Sequence, residues 1–195
     1  WDTDINRFPE VHKHLKKFRQ ILEDQRDNYK ENYPWYALHR PRNQKIFETE
    51  KILVPYRSKI NTFGYATEPL YGSDDVYFIT EKDPEVQLKY VLALLNANLY
   101  YIWLYFKGKR KGEALELYQQ PLSEVPVKKI SAVEQKSFIS LVDQILAITK
   151  DEDYHTNPAK QAKVKEYERQ IDRMVYELYD LTPEEIAVVE GFNKK

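Results

Sequence analysis

The chain of 195 residues has no cysteine, a single methionine (Met174) and only five glycines. Without cysteine there are no disulfides and no thiolate metal sites, which fits a reducing, cytoplasmic compartment. Scarce glycine, with no tract of serine or glutamine, excludes a flexible linker or a low-complexity chain. G-x-G-x-x-G, the P-loop, G-x-S-x-G and H-E-x-x-H are also missing, so the common signatures of dinucleotide, phosphate, nucleophile and zinc chemistry do not apply. No methionine stands at the start, where Trp1 is found, and we expect a piece of a longer protein.

Apolar residues, by contrast, are plentiful: 42% hydrophobic and 14% aromatic, enough for the core of one large domain or a domain with an appendage. One run, "YVLALLNANLYYIWLYF" from Tyr90 to Phe106, mimics a membrane span and is followed by the basic "KGKRKG". It is 17 residues long and carries Asn96 and Asn98 near its middle, where hydrocarbon offers an amide no partner. A buried core helix is expected, and no membrane.

Charge is divided unevenly although the net is only -1. Residues 151 to 195 hold seven Lys/Arg against eleven Asp/Glu, which leaves 23 against 20 for residues 1 to 150. An acidic tail thus hides a basic body, and local attraction for an anionic partner exceeds what the net charge implies.

Periodicity predicts the elements. Val11, Leu15, Phe18 and Ile21-Leu22 recur at three and four within residues 8 to 26, after Pro9, as in an amphipathic helix. Lys51 to Arg57 and Val76 to Thr80 read as strands broken by Pro, Gly and Asp. Residues 85 to 106 read as helix, "KGKRKG" as a turn in which Gly108 and Gly112 are free to take positive φ, and "QQPLSEVPVKKI" as extended chain. Beyond Ser131 everything reads as helix. Ser131 and Glu134 have capping-box spacing, Val164 to Leu178 forms a short heptad-like seam, and Thr182, Pro183 and Glu185 announce a last helix. The expected fold is α+β: a mixed-sheet body over residues 1–130 and a helical region over residues 131–195.

Chemistry-bearing residues are few. His12 and His14 stand two apart on a helix, where they point to different sides and cannot share a metal. His155 beside Asp151 to Asp153 is a solvated acidic loop with too few converging oxygens for a hard cation. Glu134-x-Lys136 has nuclease-like spacing but lies in a helix's first turn, where capping is the ordinary task of a carboxylate. No metal site and no catalytic residue is expected.

Three basic clusters remain, each next to aromatics and in loops or at helix ends: Arg40, Arg42, Asn43 and Lys45; Arg57, Lys59, Asn61 and Thr62; and Lys107, Lys109, Arg110 and Lys111. Phosphate contacts need cations on chain that can follow a backbone, while base edges need planar or bidentate groups such as Arg and Asn. The clusters are therefore candidates for contact with nucleic acid. The first belongs to "YPWYALHRPRN" (33 to 43), which also holds Tyr33, Trp35 and Tyr36.

"FPEVHKHLKKFRQILEDQRD" (8 to 27), "YPWYALHRPRN", "KILVPYRS" (51 to 58), "LALLNANLYYIWLYFKGKRKG" (92 to 112), "LSEVPV" (122 to 127) and "IDRMVYELYDLTPEEIAVVE" (171 to 190) carry a resemblance. In this order they resemble the TaqI-like C-terminal specificity, or target recognition, domain of adenine-specific DNA methyltransferases and single-chain restriction-modification enzymes. The resemblance implies a non-catalytic module that reads double-stranded DNA, with an α+β body and a helical C-terminal region; Arg40, Arg42 and Asn43 would then belong to a segment facing DNA, with Tyr33, Trp35 and Tyr36 either stacking on bases or packing behind it. It implies a partner as well: an upstream methyltransferase domain of the same polypeptide, holding S-adenosylmethionine and an N-P-P-Y motif absent from this chain. The chain itself is expected to hold no cofactor. A rival reading makes it a protein-protein interaction module whose seam from Val164 to Leu178 faces a partner helix, and burial of that seam within the chain would remove it.

Overall fold

The computed structural model describes residues 4–29, 33–37, 43–73 and 75–192. They fall into two compact units, residues 1–44 and 45–195.

In the first unit a 3-10 turn (Ile5–Arg7) leads into α1 (Pro9–Lys16) and α2 (Arg19–Tyr29). One continuous helix was expected here. Val11, Phe18 and Ile21, whose spacing suggested a buried stripe, are 51, 44 and 61% exposed. Without a packed face to hold a long helix, the chain turns at Lys17 and Phe18, where the Phe18 N–H donates to the Leu15 carbonyl at 2.8 Å. Trp35 sits with its ring centre 5.9 Å from that of His12, edge-on to Tyr36, and 5.4 Å from the Arg19 guanidinium. It therefore packs on the helices.

The second unit holds α3 (Lys45–Glu48), β1 (Lys51–Pro55), β2 (Arg57–Ser58), β3 (Gly64–Ala66), β4 (Val76–Ile79), α4 (Leu88–Asn96), α5 (Asn98–Lys107), β5 (Lys109–Lys111), β6 (Ala114–Glu116), α6 (Gln119–Ser123), α7 (Ala132–Thr149), α8 (Pro158–Leu178) and α9 (Pro183–Phe192). The α+β class and the helical C-terminal region are present. In place of one mixed sheet there are two three-stranded sheets, β3-β1-β4 and β2-β6-β5, and every pairing described is antiparallel.

The change of texture at Ser131 does not separate two cores. Ile52 and Val54 of β1, Leu92 to Leu95 of α4, Phe138, Leu141 and Val142 of α7, and Ile171 and Val175 of α8 form one buried cluster. The seam of α8 is thus used inside the chain, with Val164 also buried, and the surface required by the protein-interaction reading is not there.

The membrane-like run divides into α4 and α5 at Ala97, and no helix of the described residues is long and apolar enough to cross a membrane. Its asparagines serve as staples. Asn96 accepts from the Phe63 backbone N–H at 2.9 Å and donates to the Phe63 carbonyl at 3.1 Å, as a neighbouring strand would. Asn61 donates to the carbonyls of Leu95 and Ala97 at 2.7 and 2.9 Å, satisfying groups that the end of α4 leaves open.

Several local expectations resolve differently. "KGKRKG" contains a strand, β5, and only Gly112 takes a positive φ, of 62°, in the β5–β6 turn. Gly108 is extended, and what it needs is space: a Cβ there would lie 2.3 Å from the Leu104 carbonyl oxygen. "QQPLSEVPVKKI" begins with α6, whose Pro121 stands in the first turn, where a missing N–H costs nothing. At the end of α8, Asp180 adopts φ 54°, and the N–H groups of Asp180 and Leu181 bond back to the Glu177 and Tyr176 carbonyls. "YELYDLTPEE" is therefore a helix stop followed by the capping box of α9, in which Thr182 N–H donates to Glu185 at 2.8 Å.

Candidate nucleic-acid interface

The smaller sheet is built on a shared strand. Lys51 to Ser58 is one extended stretch, and Tyr56 at its bend donates its N–H to the Asp75 carbonyl and accepts from the Leu117 N–H, both at 2.8 Å. β1 before it lies in one sheet and β2 after it in the other. β6 is central in the second sheet, so Arg57 and Lys109 both stand directly across from Glu116, on either side. Alternation puts Lys111, paired with Ala114, on the same face and turns Arg110, paired with buried Leu115, to the other.

Glu116 is the electrostatic centre of that face. Its side chain is only 5% exposed, yet Arg57 donates to Oε1 through Nε at 3.1 Å and Nη2 at 3.0 Å, and Lys109 Nζ lies 3.4 Å from Oε2. Burial works against its ionisation, but the bonds from the two cations outweigh that and hold the carboxyl below its ordinary range. The hydrogen bond to Glu116 likewise raises Lys109 and Arg57. Both cations remain accessible, with side chains 65 and 43% exposed.

Rings flank the cations. The Arg57 guanidinium lies 4.8 Å from the centre of Tyr56, and Lys109 Nζ lies 5.7 Å from that of Tyr118. Tyr56 in turn neighbours Tyr118 at 6.3 Å and Tyr77 at 6.2 Å. Such a surface offers fixed N–H forks, a net positive charge and flat apolar faces, the groups that hold phosphates and meet base edges.

The predicted residues divide accordingly. Arg57, Lys109 and Lys111 share a face, although they come from stretches about fifty residues apart in sequence. Arg110 stacks on Tyr105 with its guanidinium 3.9 Å from the ring centre. With Lys59, Asn61, Thr62 and Tyr101 it lines a cleft of about 1270 Å³. Lys107 is exposed in the last turn of α5, and Lys45 is exposed in α3. Asn43 belongs to the first unit and is exposed, while Arg40 and Arg42 lie outside the described residues. The acidic tail does not cover the sheet with ion pairs among the described residues: Asp151 and Asp153 bind Lys160, Glu166 binds Arg169, and Asp180 faces Lys128.

Glu116, Tyr56, Tyr77 and Tyr118 were not foreseen. The available signal is "KRKGEALEL" (109 to 117), in which Glu116, between Leu115 and Leu117, stands across a glycine turn from a run of three cations. Glu134, by contrast, does what its spacing says: it accepts from Ser131 N–H at 2.8 Å in a complete capping box, which accounts for it without catalysis.

Residues 12–127, more than half of the chain, match the TaqI-like C-terminal specificity domain. The chain belongs to that family. It is similar to the type II methyltransferase M.HincII of Haemophilus influenzae, 26% identical over 137 residues, which cover 66% of this chain and 27% of that protein. The type II methyltransferase M.HindII of Haemophilus influenzae (strain ATCC 51907 / DSM 11121 / KW20 / Rd) is also 26% identical over 137 residues, covering 66% of this chain and 26% of its own length. This specificity-domain chain thus spans about a quarter of the curated relatives it matches. The match ends at Val127, just before α7, so the sheets and the α4–α5 pair lie within the family region.

Proposed function

We propose that the chain recognises the target sequence of an adenine (N6) DNA methyltransferase or restriction-modification enzyme. It positions duplex DNA while a separate domain of the same polypeptide binds S-adenosylmethionine and methylates the base. The observation that carries this reading is the row Arg57–Glu116–Lys109, which gathers cations from two distant stretches beside three tyrosines. Membership of a specificity-domain family and similarity to type II methyltransferases supply its context.

In this reading the basic clusters, with Lys45, Lys59, Lys107, Lys109 and Lys111, hold phosphates and set register, while a subset of Arg40, Arg42, Asn43, Arg57 and Arg110 reads base edges. Titrating the full protein against duplexes at two salt concentrations tests it. Binding to a particular sequence, well above that to scrambled duplex and steeply weakened by salt, is the expected result, together with methyl transfer to adenine in that sequence. Equal binding to all duplexes, or transfer to cytosine, would contradict it.

A further inference from the structure

Arg57 meets Glu116 in a particular way. Nε and Nη2 both donate to the same oxygen, Oε1, at 3.1 and 3.0 Å, so the carboxylate occupies the side edge of the guanidinium. Neither bond to Glu116 takes up the end-on edge, one N–H of Nη1 and the second of Nη2, which with the neighbouring Tyr56 side chain faces the next acceptor. The ring of Tyr56 lies against the guanidinium, Glu116 is rooted in the central strand of its sheet, and the arginine side chain is 43% exposed. An otherwise floppy side chain is therefore already oriented before any ligand arrives.

We infer that Arg57 reads a guanine of the DNA target through this end-on fork, with Glu116 as its positioning residue. The inference rests on the DNA-recognition reading above and narrows it to one side chain and one base. In the major groove guanine alone presents two acceptors side by side, O6 and N7, at the spacing of two parallel N–H groups. A backbone phosphate also accepts such a fork, but the chemistry here favours the base. Attraction to phosphate depends on net charge, and Glu116 cancels much of what Arg57 would supply. A phosphate can also use a fixed fork, but Lys107 and Lys111 stand exposed nearby to hold the backbone, whereas a base edge demands the direction that the carboxylate and the ring provide.

The test uses the full-length protein. Selection from a pool of random duplexes defines the bound sequence, and each guanine in it is then replaced by adenine, by 7-deazaguanine, which lacks N7, or by inosine, which lacks only the minor-groove amino group. For the wild type, one guanine should be sensitive to adenine by roughly 5- to 150-fold and to 7-deazaguanine by part of that, while inosine is tolerated there. Arg57→Ala should abolish the preference at that position and Arg57→Lys, which keeps the charge without the fixed fork, should reduce it, each leaving the others intact. Glu116→Ala should weaken the same single preference, and Glu116→Gln, whose amide oxygen can still accept from Arg57, should restore part of it. If the Arg57 variants bind every sequence more weakly, with a shallower salt dependence and every base preference kept, Arg57 is a phosphate contact; the inference then falls while the recognition reading stands. If the wild type enriches no sequence at all, the recognition reading fails and takes this inference with it.

Discussion

Asp172 in the middle of α8 accepts both N–H groups of Asn98, the backbone amide at 2.7 Å and the side-chain amide at 2.8 Å. The pair joins the first residue of α5 to a helix 74 positions later and helps to fix the break at Ala97. Partial burial raises the carboxyl to about 6; the Asn98 backbone bond opposes this, and Glu168 and Glu190 add to it. Glu168 is itself raised, again by burial.

A pH dependence follows from Asp172. Its folded pKa lies above the ordinary 3.8, so the folded state holds the proton more tightly than the unfolded chain. The stability this contributes is complete below pH 3.8 and is lost as pH rises through about 6. Asp172→Asn removes the titration while keeping an acceptor for Asn98. From pH 7 to pH 4 the wild type should gain on the variant by at most about 3 kcal/mol in urea unfolding. A difference that stays flat with pH would show that Asp172 titrates normally.

Asn61 and Asn96 form a clasp around the end of α4, one on the Leu95 and Ala97 carbonyls, the other on both backbone groups of Phe63. Replacing either with alanine leaves backbone groups near buried Phe63 without their partners, at an expected cost of about 1–2 kcal/mol. Because both hold residues 61–63 against the same helix end, Asn61→Ala with Asn96→Ala should cost less than the two singles together. Strict additivity in chemical denaturation would mean two independent contacts.

Those asparagines also show what could be read ahead of the fold. Asn96 and Asn98 were informative only as reasons against a membrane, since their partners stand 33 and 74 positions away and no local spacing reveals them. The capping boxes of α7 and α9 and the seam of α8 were legible because each is a rule between residues three or four apart. Strand β5 was missed for the opposite reason: Lys and Arg have little preference for strand, and only pairing with Ala114 to Glu116 makes one. For the site, the cations were visible as composition, whereas the carboxylate and tyrosines that arrange them required the sheet register.

Ser131 closes the N-terminus of α7, accepting from Glu134 N–H at 3.3 Å while the Glu134 carboxylate accepts from Ser131 N–H at 2.8 Å. Ser131→Ala should cost about 0.5–2 kcal/mol at neutral pH. The side-chain hydrogen bond from Ser131, then that from its backbone, holds Glu134 below its ordinary 4.5. Stability from a lowered carboxyl is present above that value and fades as pH falls through the folded pKa, so the cost should shrink in acid. Thermal melts of both proteins from pH 7 to pH 3 would check this, and a cost that is unchanged in acid would disconnect Glu134 from the cap.

Lys107, Lys109 and Lys111 are not equivalent, and neutralising them should show it. Lys107 and Lys111 are exposed, at the end of α5 and the edge of the small sheet, whereas Lys109 lies 3.4 Å from Glu116. Each phosphate contact steepens the logarithmic salt dependence of binding by about 0.9 in B-form DNA. Changing Lys107 and Lys111 to glutamine should therefore flatten the slope by up to about 2 and weaken binding to specific and scrambled duplexes alike. Lys109→Gln should flatten it by a different amount, because it also leaves the buried Glu116 carboxylate to Arg57 alone and places that anion nearer the phosphates. Glu116→Gln in the Lys109→Gln background should then recover affinity. Titrations of the full protein over a range of salt concentrations read both effects, and an unchanged slope when Lys107, Lys109 and Lys111 are all changed to glutamine would remove this loop and strand from the interface.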